Sequence, residues 1–464
     1  MRLLYRLRRS DFMPCNPRFR SVLAGIAAVL LAWPISASAA DGDLITLERR
    51  VAGAKLTSLD TQLRASFALA DGKTLQLGPA DFTAWGARGD APRGAMILLV
   101  DGSVIVASER LRDDPPGSEV RLVEDQLVIH SSLWGEPADA LTPATFPIPL
   151  SRVRGVLVRP PADLALRDRL LHELSDAKGD EDRILLENGD LLSGTLLPPV
   201  DPKLPPGAAG PPERGAVAAP AAIVRLEGKG KGSKPLQVPW GKVRGIRFSP
   251  ALAALPPAEP PALVAALADG SLLRLKELRM TGPEKIELRL LGGLTLPVSS
   301  LADLPREVVA LRGMSSKVVW LSDLEAQGYR HWPFLSGEWN LARDRSVGGG
   351  QLRVGGRIYE KGLGLHSRSR VIYEVPPGAT RFEAEAAIDD EATGGSVIFR
   401  VFTADATGAF RPAAETPIVR SGEAPRSISA ELKGAKQIAL VVEYADRGDQ
   451  QDHADWLLAR FVKE

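Results

Sequence analysis

The feature that most constrains the fold of this 464-residue chain is a short pattern that occurs four times. Each copy begins with an apolar residue, which a proline follows in three copies, and ends with two apolar residues three places apart. The copies are Leu77 to Trp85, Ile148 to Val156, Val238 to Ile246 and Leu296 to Leu304. In this register Phe82, Val153, Val243 and Leu301 are equivalent. The pattern therefore predicts a repeated structural unit.

A turn signal precedes each copy. Asn-Gly or Asp-Gly between alternating apolar residues is the strongest local indication of a β-hairpin. We therefore expect each unit to contain a hairpin, one or two further strands, and a short closing turn and strand. This arrangement resembles the small SH3-like or Sm-like β-barrels. The signals are Asp71-Gly72, Asp101-Gly102, Asn188-Gly189 and Asp269-Gly270.

Composition supports an all-β chain and excludes some functions. With 44 glycines and 37 prolines, turns must be frequent and long helices few. The chain has 58 Lys and Arg against 57 Asp and Glu, and this balance argues against a nucleic-acid partner bound by phosphate neutralisation. The length suits two to four domains.

Residues 1–39 are predicted to be an export signal. Arginines precede an apolar run from Val22 to Trp33, and Ala37-Ser38-Ala39 resembles a cleavage site. The run is shorter than the roughly 20 residues of a membrane span. We therefore expect an exported protein, periplasmic, cell-envelope or extracellular, without a membrane span in the mature chain. Met13 is an alternative start to Met1.

The only cysteine, Cys15, lies in this leader, so the mature chain has no disulfide and no thiolate metal site. After the leader we predict four regions. Two repeat-like units occupy residues 40–160. One unit with a Pro/Gly/Ala-rich loop at 198–220 occupies residues 161–250. A linker and a fourth unit occupy residues 251–316, and a different domain follows at 317–464.

The repeat region shows no catalytic motif. It contains no glycine-rich phosphate loop, no Gly-x-Ser-x-Gly elbow and no His-Glu-x-x-His metal pair. Its best helix candidate is Ala162 to Leu174, where leucines lie mostly on one face.

Several motifs in the last region occur in the order typical of one known family. They are Trp320 to Leu324 (WLSDL), Lys361 to His366 (KGLGLH), Phe382 to Asp390, and Asp452 to Trp456 (DHADW). This region resembles the carbohydrate-binding module found at the N-terminus of glycoside hydrolase family 98 enzymes (NPCBM). The resemblance implies a galactose-binding-like jelly-roll β-sandwich, usually non-catalytic, that binds terminal galactose-type sugars. The expected fold class is therefore all-β, with repeated barrel-like units followed by this sandwich.

The candidate sugar-binding residues lie within these motifs. A sugar site needs planar polar side chains for hydroxyls and an aromatic face for the ring. His366, Asp452, His453, Asp455 and Trp456 supply these groups. The alternative is a framework role, with Trp456 in the core and His366 bonded beneath the loops.

No cofactor is predicted except a candidate structural Ca²⁺ at Asp389 and Asp390, with a solvated acidic turn as the alternative. Gly362 and Gly364 predict positive φ angles or close approach of another strand. The leading functional hypothesis is an exported, non-catalytic carbohydrate-binding protein. The second is a structural or interaction component that contacts envelope proteins and has lost sugar binding. The third is a glycoside hydrolase with an unrecognised active site.

Overall fold

The computed structural model describes most of the chain after residue 40. The described residues are 41–90, 94–107, 119–131, 133–134, 144–175, 179–197, 223–227, 234–251, 254, 258–282, 286–298, 302–334, 337–446 and 448–464. The predicted export signal and the predicted loop at 198–220 lie outside them. Within these ranges, no helix is both long and apolar enough to cross a membrane.

Short strands dominate the chain up to residue 312, as the turn-rich composition predicts. The strands and helices of this part, called the barrel region, are β1 (Asp41–Thr46), β2 (Arg50–Leu59), β3 (Ala65–Ala68), β4 (Thr74–Leu77), β5 (Phe82–Gly86), β6 (Met96–Leu99), β7 (Val104–Val106), β8 (Val120–Val123), β9 (Gln126–Ser131), β10 (Ala144–Pro149), β11 (Val153–Leu157), α1 (Leu164–Ser175), β12 (Asp182–Leu186), β13 (Leu191–Leu197), β14 (Ile223–Glu227), β15 (Leu236–Pro239), β16 (Val243–Arg247), β17 (Leu263–Leu267), β18 (Leu272–Met280), β19 (Ile286–Leu290), β20 (Thr295–Val298), α2 (Leu304–Glu307) and β21 (Val308–Arg312).

The rest of the chain is also built from strands. They are β22 (Val318–Trp320), β23 (Gly328–His331), β24 (Ala342–Arg343), β25 (Leu352–Val354), β26 (Arg357–Tyr359), β27 (Gly362–His366), β28 (Ser369–Glu374), β29 (Ala379–Ile388), β30 (Ser396–Ala404), β31 (Phe410–Glu415), β32 (Val419–Arg420), β33 (Arg426–Glu431), β34 (Gln437–Tyr444) and β35 (His453–Lys463). The predicted all-β class is confirmed.

The repeats form four barrel-like units in which the last strand returns to pair with the first. The pairs are β1 with β5, β6 with β11, β12 with β16 and β17 with β21, all antiparallel. Closing strands also join the units, because β11 pairs with β16 and β5 pairs with β21. One apolar cluster runs through all four units and contains Phe67, Phe82 and Trp85. The predicted domain boundaries inside this region remain predictions.

The four predicted hairpin turns are all present and share one geometry. Each glycine has a positive φ: 80° at Gly72, 82° at Gly102, 91° at Gly189 and 89° at Gly270. In each turn the preceding Asp or Asn accepts a hydrogen bond from the backbone N–H two residues later, as at Asp101 to Ser103, 2.8 Å. The local chemistry of Asx-Gly therefore sets these turns without help from the rest of the fold.

The closing strand begins at the predicted residue in three copies, Phe82, Val153 and Val243, and departs from the prediction in the fourth. In two of these copies a 3₁₀ turn follows the proline, at Pro149 and Pro239. In the fourth copy helix α2 intervenes, so the strand begins at Val308 rather than at Leu301. The predicted alignment of the fourth copy with the other three is therefore wrong, because helix α2 lies where the closing strand was expected and the strand follows it.

The C-terminal part is a sandwich of two antiparallel six-stranded sheets. The first sheet has the order β24-β27-β35-β29-β33 with β22 beside β35, and the second has the order β23-β28-β34-β30-β31 with β32 beside β30. The core between them contains Trp456 and Phe382 from the first sheet and Tyr373 and Phe399 from the second. The predicted jelly-roll-type β-sandwich is confirmed.

The outer face of the first sheet is largely covered. The β25–β26 hairpin packs on it, so that Leu352 and Val354 contact Leu457. The barrel region covers the neighbouring part, where Ile45 packs with Trp320 and Leu458. Because both faces are covered, Ala454 to Val462 of β35 are buried without interruption.

Buried ion pairs attach helix α1 to the same hairpin. Arg353 Nη2 donates to Asp168 at 3.0 Å and to Asp90 at 2.9 Å. Arg167 also donates to Asp90, at 2.7 Å. The side chains of Asp168, Arg167 and Arg353 are each less than a tenth exposed. Each buried charge therefore has a partner of opposite sign, as burial requires.

Candidate functional site

Three histidines meet at one end of the sandwich, although they are far apart in the sequence. His331 is the last residue of β23, His366 is the last of β27, and His453 is the first of β35. His366 and His453 are directly opposite each other in the antiparallel pair. We call these histidines, with Trp339 and Glu391, the histidine site.

Trp339 is the aromatic group of this site. Its ring is parallel to that of His366, with an angle of 3° and 4.8 Å between centroids. It also lies 5.4 Å from the ring of His453. Tyr329 Oη donates a hydrogen bond of 2.8 Å to the Trp339 carbonyl, which helps to hold the segment in place. Trp339 is only partly buried, so part of the indole remains open to solvent.

The hydrogen bonds determine the tautomers of two imidazoles. His366 Nδ1 and His331 Nε2 both lie within 3.0 Å of the Ser367 carbonyl oxygen. A carbonyl oxygen only accepts, so each of these nitrogens carries the proton. His366 Nε2 therefore has a free lone pair in the neutral ring. His331 Nδ1 accepts from the Trp339 backbone N–H at 3.4 Å.

Burial keeps His366 neutral. Its side chain is 5% exposed, and this burial is the main reason that its pKa lies below the ordinary value. Its hydrogen bond to Ser367 acts in the opposite direction, while the charges of His453 and His331 lower the pKa further. At neutral pH His366 can therefore accept a hydrogen bond from a hydroxyl group through Nε2.

His453 is held by a carboxylate. Its Nδ1 lies 2.8 Å from Glu391 Oε1, and both side chains are 18% exposed. Burial tends to raise the pKa of Glu391, but the hydrogen bond and charge of His453 outweigh it and lower that pKa. Because Nδ1 faces Glu391, His453 Nε2 remains for another partner. Within the described part of the chain, neither His366 Nε2 nor His453 Nε2 has a hydrogen bond.

Asp452 lies behind the histidines rather than among them. It is fully buried. Its Oδ2 accepts a hydrogen bond of 2.5 Å from Ser367 Oγ, and its Oδ1 accepts one of 2.8 Å from the Ser396 N–H. Burial raises the pKa of Asp452 to about 6. Asp452 therefore holds the loop that carries the Ser367 carbonyl, and so it positions both His331 and His366.

Asp455 and Trp456 are also fully buried, on opposite faces of β35. Trp456 packs between the sheets, where its ring lies 4.9 Å from that of Phe399. Asp455 faces outward beneath the hairpin, beside Asp389. Burial, and then the charge of Asp389, raise the pKa of Asp455 well above its usual range. Burial raises the pKa of Asp389 to about 6. Neither Asp455 nor Trp456 offers a surface to a ligand, which agrees with the framework alternative.

Asp389 and Asp390, the candidate calcium ligands, bind backbone N–H groups. Asp389 accepts from Arg353 and Glu391, at 2.8 and 2.9 Å. Asp390 accepts from Gly355 and Gly356, at 2.8 Å each. All four carboxylate oxygens thus hold the hairpin and its neighbouring turn. Among the described residues, no group of three or more His, Cys, Asp or Glu is arranged to hold a metal ion. The calcium site remains a prediction.

A groove adjoins the histidine site. Its volume is about 530 Å³, and Trp339, Glu338, Asn340 and Arg343 contribute to its lining. These side chains provide hydrogen-bond donors and acceptors next to the indole ring. A second cavity, of about 260 Å³, lies between the barrel region and the first sheet and contains none of the predicted site residues.

Sequence reasoning identified His366 and His453 but missed His331, Trp339 and Glu391. A signal was present in the segment His331 to Trp339, which contains a histidine, two tryptophans and a phenylalanine in a chain with 5% aromatic residues. Nothing in the sequence, however, shows that β23 ends beside β27. The glycine prediction is confirmed as close approach, since a Cβ on Gly364 would lie 2.4 Å from the Arg345 carbonyl oxygen.

Comparison with known families agrees with this geometry. Residues 317–462 match the NPCBM/NEW2 domain family. The C-terminal sandwich is an NPCBM/NEW2 domain. The resemblance predicted from the motifs is therefore confirmed, and the match ends two residues before the predicted limit of residue 464.

Two curated proteins are similar to part of the chain. One, from Renibacterium salmoninarum, is provisionally named an endo-alpha-N-acetylgalactosaminidase and is 31% identical over 115 residues, which is 25% of this chain and 7% of that protein. The other is alpha-1,3-galactosidase B of Akkermansia muciniphila, 33% identical over 119 residues, which is 25% of this chain and 14% of that protein. The chain thus spans only a small part of these relatives.

Two similar solved structures are from Clostridium perfringens. One contains CBM51-2, in complex with GlcNAc, and INT domains of ZmpB; it is 25% identical and covers 43% of each chain, with a TM-score of 0.27. The other is the CBM51 of GH95 in complex with methyl-galactose; it is 21% identical and covers 31% of this chain and 99% of that one, with a TM-score of 0.28.

Proposed function

We propose that this protein is an exported, non-catalytic carbohydrate-binding protein whose NPCBM domain holds a glycan at the histidine site. The observation that carries the proposal is the position of Trp339. It places a partly buried aromatic ring against the imidazoles of His366 and His453, in the lining of a polar groove. An aromatic face for the apolar side of a sugar ring, with fixed acceptors for its hydroxyls, is what carbohydrate recognition requires.

The expected ligand is a neutral terminal sugar of the galactose type. Galactose and GlcNAc occur in the names of the related modules, and the neutral state of His366 suits a neutral hydroxyl better than an anion. The site is shallow and contains few groups, so a dissociation constant in the micromolar to millimolar range, about −4 to −8 kcal/mol, is expected for one site.

The barrel region acts as the support of this domain. It covers the outer face of the first sheet, and the ion pairs of Asp168 and Arg353 keep the domain in a defined position. The units of the barrel region are the surfaces available to envelope proteins.

A glycan array with the full chain tests the proposal. The wild-type protein should bind glycans that end in galactose or N-acetylated sugars. The Trp339→Ala variant should lose at least about tenfold in affinity, because it removes the aromatic face. Phe410→Ala is the matched control, since Phe410 of β31 is a half-buried aromatic residue that belongs to neither the histidine site nor its groove and should leave this binding unchanged. If wild-type protein with a native circular dichroism spectrum binds no glycan, the proposal fails.

Two alternatives give different results. The fixed attachment of the sandwich to helix α1 favours a docking domain without sugar affinity as the second candidate. Such a domain would give pull-down partners that free galactose does not displace. A glycoside hydrolase would release reducing ends from a bound glycan, and a single Asp or Glu substitution would abolish that release.

A further inference from the structure

The outer face of the second sheet carries an unusual pair of like charges. Arg330 of β23 and Arg370 of β28 are directly opposite each other in the antiparallel register. Opposed side chains in such a pair lie about 5 Å apart at Cβ, and like charges at this distance repel each other. The repulsion destabilises the sheet by up to about 1 kcal/mol unless an anion lies between the two groups.

A third arginine joins them around one aromatic ring. The guanidinium carbons of Arg330, Arg368 and Arg370 lie 4.9, 5.6 and 5.7 Å from the centroid of the Trp332 ring. Cation–π contacts of this kind hold the guanidinium groups in defined positions. We call Arg330, Trp332, Arg368 and Arg370 the arginine face.

The positive charge of this face is only partly neutralised within the protein. Arg368 pairs with Glu443 at 3.2 Å. In the same row as Arg330 and Arg370, Arg400 pairs with Glu415 at 2.9 Å. Neither Arg330 nor Arg370 has an ion pair anywhere in the described ranges, and all three arginines of the face are exposed. Two ordered, exposed guanidinium groups therefore lack an anionic partner.

The geometry suits a chain with closely spaced anionic groups. Guanidinium groups bind carboxylate and sulfate in a bidentate manner, and groups already held by an aromatic ring lose less freedom on binding. The carbohydrate-binding function proposed for the domain favours an acidic polysaccharide over a nucleic acid as the chain that carries these anionic groups.

We propose that the arginine face is a second glycan-binding surface of the NPCBM domain, specific for acidic polysaccharides that carry carboxylate or sulfate groups. This inference rests on the proposed function, because it assumes that the ligand of the domain is carbohydrate. It adds a class of ligand that the histidine site does not favour, since that site contains Glu391 and a neutral His366.

The test uses the full chain with polygalacturonate, dextran sulfate and neutral dextran. The wild-type protein should bind one or both acidic polymers, more weakly as salt rises, and should not bind dextran. An Arg330→Gln/Arg370→Gln double variant should lose about tenfold or more in affinity for the acidic polymers while keeping its binding of neutral glycans on the array. Binding of one acidic polymer alone identifies carboxylate or sulfate as the group recognised.

The matched control is Arg279→Gln/Arg289→Gln, which removes two arginines that pair with Glu277 in the barrel region and should leave binding unchanged. Equal binding by the wild type and the Arg330/Arg370 variant would overturn the inference, as would tighter binding of single-stranded DNA than of either acidic polymer. If the wild-type protein binds neutral glycans on the array but neither acidic polymer, the inference about the arginine face fails and the proposed function stands. If the wild-type protein binds no glycan of either kind, the proposed function fails as well.

Discussion

The two sheets of the C-terminal sandwich share a core but differ on their outer faces. The first sheet lies beneath the β25–β26 hairpin and the barrel region, and its strand β35 is buried along almost its whole length. The second sheet is open on its outer face. In its strand β34, outward-facing residues such as Val441 are only half-buried. The outer face of the second sheet is therefore accessible to a ligand, and that of the first sheet is not. This difference explains why fully buried acids are part of the framework while exposed arginines are available for binding.

The largest expected effect is on the free energy of unfolding, and it is measured by truncating one outward-facing apolar residue in each sheet. Leu457→Ala in the first sheet should destabilise the protein by about 2–5 kcal/mol, because Leu457 is fully buried beneath the hairpin. Val441→Ala in the second sheet should cost less than about 1 kcal/mol, since Val441 is half-buried on an open face. Urea denaturation measures both. Equal losses would contradict the difference between the two sheets.

A pH-dependent effect of intermediate size is expected at Asp452. Its folded-state pKa of about 6 lies above the ordinary value of 3.8, so the folded protein binds the proton more tightly than the unfolded chain. The stability that this proton contributes is present below pH 4 and is lost as pH rises through 6. Asn cannot ionise, so the stability of Asp452→Asn relative to wild type should increase by up to about 3 kcal/mol between pH 4 and pH 7. Denaturation curves at these pH values measure the change, and a constant difference would argue against it.

The smallest effect concerns the open face. Arg370→Gln should gain roughly 0.2–1 kcal/mol of stability from relief of the repulsion by Arg330 directly opposite, and it loses the cation–π contact with Trp332, so the salt dependence isolates the repulsion. The gain should shrink in 1 M salt, where screening acts over about 3 Å. Arg400→Gln is the control, since Arg400 has Glu415 as a partner and should show no gain. Thermal denaturation at low and high salt measures both variants, and a stability difference between Arg370→Gln and wild type that does not change with salt would rule out the repulsion.

Local chemistry explains which parts of the fold could be predicted. The Asx-Gly turns at Asp101 and Asn188 depend only on glycine φ and a side-chain hydrogen bond two residues away, so the sequence was sufficient. The fourth closing strand was misplaced because a four-residue helix at Leu304 is too short to produce a periodic signal. The NPCBM domain was recognised because its motifs occur in order along one continuous region.

The candidate site was predicted only in part. The motif Asp452 to Trp456 was correctly placed in one strand, but side chains of a strand alternate between faces. Trp456 therefore enters the core, while Asp455 lies beneath the hairpin. Periodicity in one strand cannot show that another segment covers its outward face. His331 and Trp339 were missed because they belong to a part of the chain that only the sandwich brings beside His366.

The sequence by itself determined the turns, the strand-rich class, the repetition of the first region and the family of the second. These depend on residues that are close in sequence or occur in a recognisable order. The tertiary structure decided which imidazoles meet, which acids are buried and which arginines stay exposed. Those outcomes depend on long-range strand pairing and on the covering of one sheet by a separate region, and no local pattern of residues encodes either of them.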